Sequence, residues 1–298
     1  MAINTILALT DLSENSCAGL VLAEQLARRF HAKVVVGYAH TRTDVLRAGQ
    51  GREEAKRLAA WVRQDDEEHL RSLCGRHIER LRLAGTQTVD APGAREGVAA
   101  LVARVKPDLV CMATRGRTGL AHLLLGSVAE HAIRTSEVPV VVTQAGRFPA
   151  AGEPMRVLLG LDLLTEPAPL VRRVADLMAP EDELVLAHVV ESTYYSPSAY
   201  GSEFALPQPD VPPLLQAARR RLEAVAKDTP GPAVRVEVRP GRPGESLTDM
   251  EDALQAHLVV VQTHGRRGFD RLMLGSVSEY LARRCRVPVL VLPKTGSV

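Results

Sequence analysis

A chain of 298 residues has room for about two domains of ordinary size, and an apolar content of 46% supplies two cores. A formal net charge of +2 gives no support to nucleic-acid binding as the main function, and no apolar run approaches the ~20 residues of a membrane span. Aromatic residues are only 3%, so the cores must be Val, Leu, Ala and Ile, a composition that suits parallel sheets covered by helices.

The first strand is predicted over Ile3–Leu9 and ends at Thr10-Asp11, after which Ser13 caps a helix running from about Glu14 to His31. Val21, Leu22, Leu26 and Phe30 recur there near helical spacing. Lys33–Ala39 is the second strand. The long charged stretch that follows, to Gly85, predicts one or two helices with Trp61 and Leu70 on the buried side. Thr86–Ala91 reads as a third strand and Ala94–Val105 as a helix ended by Pro107. Leu109–Ala113 is a continuous apolar run, as a sheet covered on both faces requires, and Val138–Thr143 is a fifth strand whose proline favours an edge or a strand start. Gln144–Pro154 is turn-rich and reads as a linker.

The pattern then restarts. Met155–Asp162 and Leu184–Val190 are strands; the stretch from Glu191 to Pro213, proline-rich and holding Tyr194, Tyr195 and Tyr200, has no counterpart in the first half. An insertion of this length is either a lid or partner contact or a passive loop. A helix from Leu214 to about Lys227, a strand over Val234–Val238, a helix over Leu247–Ala256 and strands over Leu258–Val261 and Val287–Leu292 complete the chain. Alternating strands and helices imply right-handed parallel crossovers and a doubly wound sheet. Cys17, Cys74, Cys111 and Cys285 form no Cys-x-x-Cys pair, which suits reduced thiols in a cytoplasmic protein. The first residues enter a strand directly, so no signal peptide is expected, and the nine histidines show no metal-ligand spacing.

The two halves are copies. Gly116, Gly126 and Pro139 recur as Gly265, Gly275 and Pro288, each 149 positions on, and Ala113–Thr143 aligns with Gln262–Leu292 at 15 identities in 31 positions. Such self-similarity marks a tandem duplication, with one domain over residues 1–146 and the other over 153–298. Within each copy a buried strand leads through a glycine-bearing loop into a helix opened by Gly126-Ser127 or Gly275-Ser276. Ser127 and Glu130 have the spacing of a capping box. Glycines admit a ligand close to the backbone, and the free N–H groups of a helix start attract anions, so the pattern suggests a phosphate cradle. In a doubly wound sheet ligands bind at the carboxyl ends of the strands where the winding reverses, and Asp11 and the glycine loop meet there if the strand order is 3-2-1-4-5.

On these residues the chain resembles a tandem universal stress protein over nearly its whole length. The most specific features are the motif Gly-x2-Gly-x9-Gly-Ser/Thr and the aspartate that ends the first strand. The resemblance implies an α/β fold of two doubly wound domains, each a five-stranded parallel sheet of order 3-2-1-4-5 flanked by helices, paired through their last strands within one molecule, and it leaves a homodimer open. It implies ATP, with or without Mg, as the bound group. Asp11 would lie beside the adenosine, Ala39 near the base, Met112, Ala113, Arg115 and Gly116 along the loop, and Gly126, Ser127 and Val128 at the phosphates. In the second half Asp162, Val189, Val261, His264, Gly265, Gly275, Ser276 and Val277 take the same places. The first glycine of the motif is replaced by Ala113 in one half and by Gln262 in the other, and a glutamine side chain there is the greater obstacle, so the first site ranks above the second.

The implied function is a cytoplasmic stress-response or regulatory protein that binds an adenine nucleotide. The alternative is an interaction and dimerisation module that binds none. No Gly-x-Ser-x-Gly elbow, no Gly-x4-Gly-Lys-Ser/Thr loop and no lysine in either phosphate loop appears, so at most weak ATP hydrolysis is expected. Related adenine-nucleotide enzymes carry a Ser-Gly-Gly-x-x-Ser loop after the first strand, and neither half does.

Overall fold

The structure, a computed structural model, describes residues 2–41, 52–114, 125–144, 148–150, 152–191, 211–263 and 276–294. The first half runs β1 (Thr5–Leu9), α1 (Cys17–Phe30), β2 (Lys33–Thr41), α2 (Arg52–His77), β3 (Leu83–Ala91), α3 (Ala94–Val105), β4 (Leu109–Ala113), α4 (Ser127–Thr135) and β5 (Val140–Thr143). The second runs β6 (Arg156–Leu161), α5 (Ala168–Ala175), β7 (Glu183–Glu191), α6 (Val211–Lys227), β8 (Ala233–Gly241), α7 (Pro243–Ala253), β9 (Leu258–Gln262), α8 (Ser276–Arg284) and β10 (Val289–Leu292). No described helix is long and apolar enough to cross a membrane.

Two compact units form, Pro154–Val261 and Ala2–Glu153 together with Gln262–Val298. In the first, β8, β7, β6 and β9 lie side by side and parallel. In the other, β3-β2-β1-β4-β5 are parallel in the expected order, and β10 adds to β5 antiparallel. Val141 pairs with Leu290, its own repeat mate, with Val142 opposite Val289 and Val140 opposite Val291. This is the self-complementary geometry of two like strands about a two-fold axis. Pro139 and Pro288 stand just before these strands, so their rings remove no ladder donor; β5 is interior rather than an edge.

Strand alternation sets the faces. The Cys111 thiol bonds to the Gly19 carbonyl at 3.2 Å, so odd residues of β4 face α1. That helix approaches closely: a Cβ on Gly19 would lie 2.8 Å from the Ala113 nitrogen. The opposite face takes α3, where a Cβ on Gly97 would stand 2.3 Å from that of Ala39. Valines and leucines fill both faces of the central strands, and Ile6, Leu7, Leu20 and Leu101 are fully buried.

The repeats also keep their backbone irregularities. Leu12 and Leu163 both follow the strand-ending aspartate with φ of 64° and 55°, and Lys106 and Gln255, 149 residues apart, take φ of 50° and 51°. Where β4 and β9 begin, Asp108 accepts the Asn4 and Thr5 N–H groups while its repeat mate His257 accepts that of Arg156 at 3.0 Å, so two different side chains fill one role.

Several expectations shift. Trp61 is 63% exposed whereas Leu70 is buried with Leu73 and Cys74. Nine residues on a 3.6-residue helix is two and a half turns, so Trp61 and Leu70 lie on opposite faces of α2. The first strand starts later, at Thr5, and the first helix opens as a 3-10 turn over Glu14–Ser16 capped by Ser13, with α1 proper from Cys17. β2, β3, β8 and β9 run longer than expected, β5 and β10 shorter, and α7 begins and ends earlier, at Pro243 and Ala253. The helix α6 starts at Val211 rather than Leu214. Helix α5 had no counterpart in the sequence reading, because Pro167 and Pro169 mask its period. Tyr194, Tyr195 and Tyr200 lie outside the described residues.

Candidate functional site at the carboxyl edge of the sheet

The winding reverses between β1 and β4, which are paired from Ile6–Leu109 to Leu9–Met112. Asp11, Ala39, Met112, Ala113, Gly126, Ser127 and Val128 therefore share the carboxyl end of one sheet, as the strand order required. Arg115 and Gly116 lie outside the described residues.

The turn after β1 is rigidly built. The Thr10 N–H reaches the Gly37 carbonyl at 3.1 Å, continuing the ladder. The buried Thr10 hydroxyl pairs with that of Ser16 at 2.7 Å and accepts the Leu12 N–H at 3.0 Å. Asp11 Oδ1 accepts the Ser13 N–H at 3.0 Å and the Ser13 hydroxyl, an Asx turn. In the second half Asp162 Oδ1 accepts the Leu164 N–H at 3.0 Å in the same manner. The left-handed leucine inside each turn is a costly conformation for a branched side chain; its recurrence at the same strand end marks a position the fold over-determines. Leu164 is left exposed beside Asp162.

Met112 and Ala113 close β4. By the alternation that points Cys111 at α1, the Ala113 methyl also turns to the α1 side, while Met112 and the next residue, Thr114, turn to the face that α3 and α4 cover. The methyl that replaces glycine thus sits away from the α4 start. Gly160 and Leu247 play the same part in the other unit: a Cβ on Gly160 would meet Leu247 and Val261, each at 3.1 Å, so Val261 faces α7 and Gln262 faces the opposite side of β9.

Helix α4 begins where Gly126 touches Thr114. The Gly126 N–H donates to the Thr114 carbonyl at 2.8 Å, and a Cβ on Gly126 would stand 3.0 Å from that oxygen. Its φ of −61° would admit any residue, so what the position needs is space, not glycine's conformational freedom. This bond makes Gly126 the N-cap and Ser127 the first helical residue. The expected capping box is therefore absent: Ser127 is exposed, and Glu130 pairs with Arg134 at 3.6 Å instead. Ser127 and Val128 carry N–H groups that helix geometry leaves without an intrahelical partner. One turn on, His131 is held below the ordinary imidazole range by burial and then by Arg95 and Arg134, so it stays neutral at pH 7.

The sequence reading passed over Thr114. It is 3% exposed; its N–H donates to Thr143 and its carbonyl takes Gly126, yet its hydroxyl is buried with no hydrogen-bond partner among the described residues. Threonine beside the motif glycine was the only signal available. His40 and His188 are held as satisfied strand residues, His40 by Asp66 at 2.9 Å and His188 by the Leu161 carbonyl at 2.7 Å. Among the described residues no group of His, Cys, Asp and Glu could hold a metal ion. The Cys111 thiol is fully enclosed and pushed far up by burial, which makes it unreactive.

In the second half, Asp162 and the buried Val189 and Val261 sit at the carboxyl ends of β6, β7 and β9 in one unit. Ser276 and Val277 open α8 in the other unit, and His264, Gly265 and Gly275 lie outside the described residues. The backbone pattern recurs: Thr263 donates to Leu292 at 2.9 Å as Thr114 does to Thr143 at 2.8 Å.

Comparison with known proteins agrees with this arrangement. The model of the universal stress protein family matches twice, over residues 2–144 and 154–293. A universal stress protein of Mycolicibacterium smegmatis is 28% identical over 195 residues, which are 62% of this chain and 61% of that protein. One of Mycobacterium tuberculosis is 30% identical over 198 residues, with the same shares of 62% and 61%. The chain thus matches about three fifths of the length of these relatives. The crystal structure of a universal stress protein from Archaeoglobus fulgidus superposes with a TM-score of 0.60 at 21% identity, covering 97% of this chain and 96% of that one, a likeness of fold. With the repeated strand–turn–helix geometry and two matches that together span most of its length, this chain belongs to the universal stress protein family.

Proposed function

We propose that this chain is a cytoplasmic stress-response or regulatory protein that binds an adenine nucleotide, ATP, at the β1/β4 crevice of its first half. The observation that supports the reading is the contact of Gly126 with the Thr114 carbonyl, which ties the start of α4, with the N–H groups of Ser127 and Val128, to the carboxyl edge of the sheet, the edge at which the Asp11 turn also lies. Such a helix start holds anions through its amides and its dipole. Asp11 would take the ribose side, Ala39 and Met112 the base, and Gly126, Ser127 and Val128 the phosphates, with Arg115 and Gly116 of the loop. In support of this reading, the Ala113 methyl faces α1 and not the start of α4. The nucleotide would supply a charged tail to be held, not a bond to be cut; the chain binds rather than catalyses, and Mg enters only as the nucleotide's counter-ion. The second half offers Asp162, Val189, Val261, His264, Gly265, Gly275, Ser276 and Val277 by the repeat. We read the two repeats as domains over 1–146 and 153–298.

Isothermal titration of the purified chain with Mg-ATP should give saturable heat, and nucleotide should be found by mass spectrometry in the freshly purified protein. A flat titration together with nucleotide-free protein would refute the reading. A second reading, that of a pairing scaffold, draws on the symmetric β5–β10 contact, which uses the β5 edge inside one molecule; nucleotide retained through purification rules that out as the whole function. A homodimer would then need a surface other than this edge.

A further inference from the structure

We infer that the Thr114 hydroxyl is a phosphate ligand of the seat at the start of α4, an inference that rests on the nucleotide reading above. Every backbone polar group of Thr114 is engaged: its N–H by the Thr143 carbonyl at 2.8 Å and its carbonyl by the Gly126 N–H at 2.8 Å. Only the hydroxyl is left over, and it is enclosed, with the residue 3% exposed and the oxygen without a partner among the described residues. A buried hydroxyl with nothing to bond is an exception in folded proteins.

Its position explains the exception. The alternation along β4 sends Cys111 and Ala113 toward α1 and Thr114 toward the face that α4 covers, and the N-cap of α4, Gly126, touches the Thr114 carbonyl. The hydroxyl therefore stands on the face where the Ser127 and Val128 amides open. Those amides can only donate, and an anion bound to them offers oxygens that can only accept. A hydroxyl can turn its hydrogen to such an oxygen, which adds a donor to the two amides in a loop that contains no lysine. In the second half the repeat mate, Thr263, keeps the same backbone bond, to Leu292 at 2.9 Å, and the same residue type.

The test is titration of ATP and of adenosine into wild type, Thr114→Val, Thr114→Ala and Thr114→Ser, with thermal melts of each protein without ligand. Valine keeps the branch and volume and loses only the hydroxyl. Loss of a hydrogen bond to a charged group predicts a rise in the ATP dissociation constant of roughly tenfold in the valine and alanine variants. Adenosine affinity should be unchanged in all, and Thr114→Ser should bind ATP as wild type does. The ligand-free valine variant should melt no lower than wild type, because it removes an unsatisfied buried group. ATP and adenosine weakened alike, or ATP unmoved in the valine and alanine variants while wild type binds, would overturn the assignment of Thr114 alone. Absence of ATP binding by wild type would instead overturn the nucleotide reading, and this assignment with it.

Discussion

Gly97 and Ala39 offer a sharp test of how α3 holds the strand that would face the base. A Cβ built on Gly97 falls 2.3 Å from the Ala39 Cβ and 3.4 Å from that of Ala91. The first distance is impossible, so in Gly97→Ala the helix must lift from β2. Overpacking of this kind costs up to about 3 kcal/mol, and replacing glycine by alanine inside a helix returns about 1 kcal/mol, for a net loss of about 2 kcal/mol. Ala39→Gly alone should cost about 1 kcal/mol through strand entropy and a lost methyl. The double variant moves the methyl from strand to helix and removes the clash, so its gain and loss cancel and its stability should return to within about 0.5 kcal/mol of wild type. The coupling between the two positions is then about 3 kcal/mol, at the upper end for residues in direct contact. Differential scanning calorimetry reads it: Gly97→Ala should melt about 4–8 °C below wild type, and the double variant close to it. A Gly97→Ala protein that melts at or above wild type, or a double variant no more stable than Gly97→Ala, would refute the packing argument.

Gly126→Ala should cost about 1 kcal/mol, because its Cβ would press on the Thr114 carbonyl at 3.0 Å and the start of α4 must shift by a few tenths of an ångström; ATP affinity should fall with it, and a variant binding ATP as tightly as wild type would show that the close contact does not shape the seat. The buried Cys74 gives a pH dependence. Burial pushes its thiol up from 9.0 to about 11, so between these values the unfolded chain releases a proton that the folded chain keeps. The stability this confers is complete below pH 9 and is lost as pH rises toward 11, by about 2–3 kcal/mol. Melting temperatures from pH 8.5 to 10.5 should fall more steeply in wild type than in Cys74→Ala, and parallel slopes would count against it.

The duplication and the α/β class were legible in the residues, and the strand order came only with the family resemblance. Two copies of a short apolar strand, a glycine loop and a helix start repeat at a fixed spacing, and parallel crossovers have one hand. The strand-ending aspartates Asp11 and Asp162 were visible in sequence, but that each closes an Asx turn came from the structure. What needed tertiary structure was direction. Which face of the sheet Ala113 and Gln262 take was set by where α1 packs, through Cys111 and Gly19, and by Gly160 against Val261. Trp61 turned outward because the face of α2 is chosen by Leu70, Leu73 and Cys74 together, not by the hydrophobicity of one residue. Ser127 has capping-box spacing, but the bond from Gly126 to Thr114, twelve residues back along the chain, sets the helix start. The idle hydroxyl of Thr114 is likewise invisible in sequence, because being unpartnered is a property of surroundings and not of a residue type.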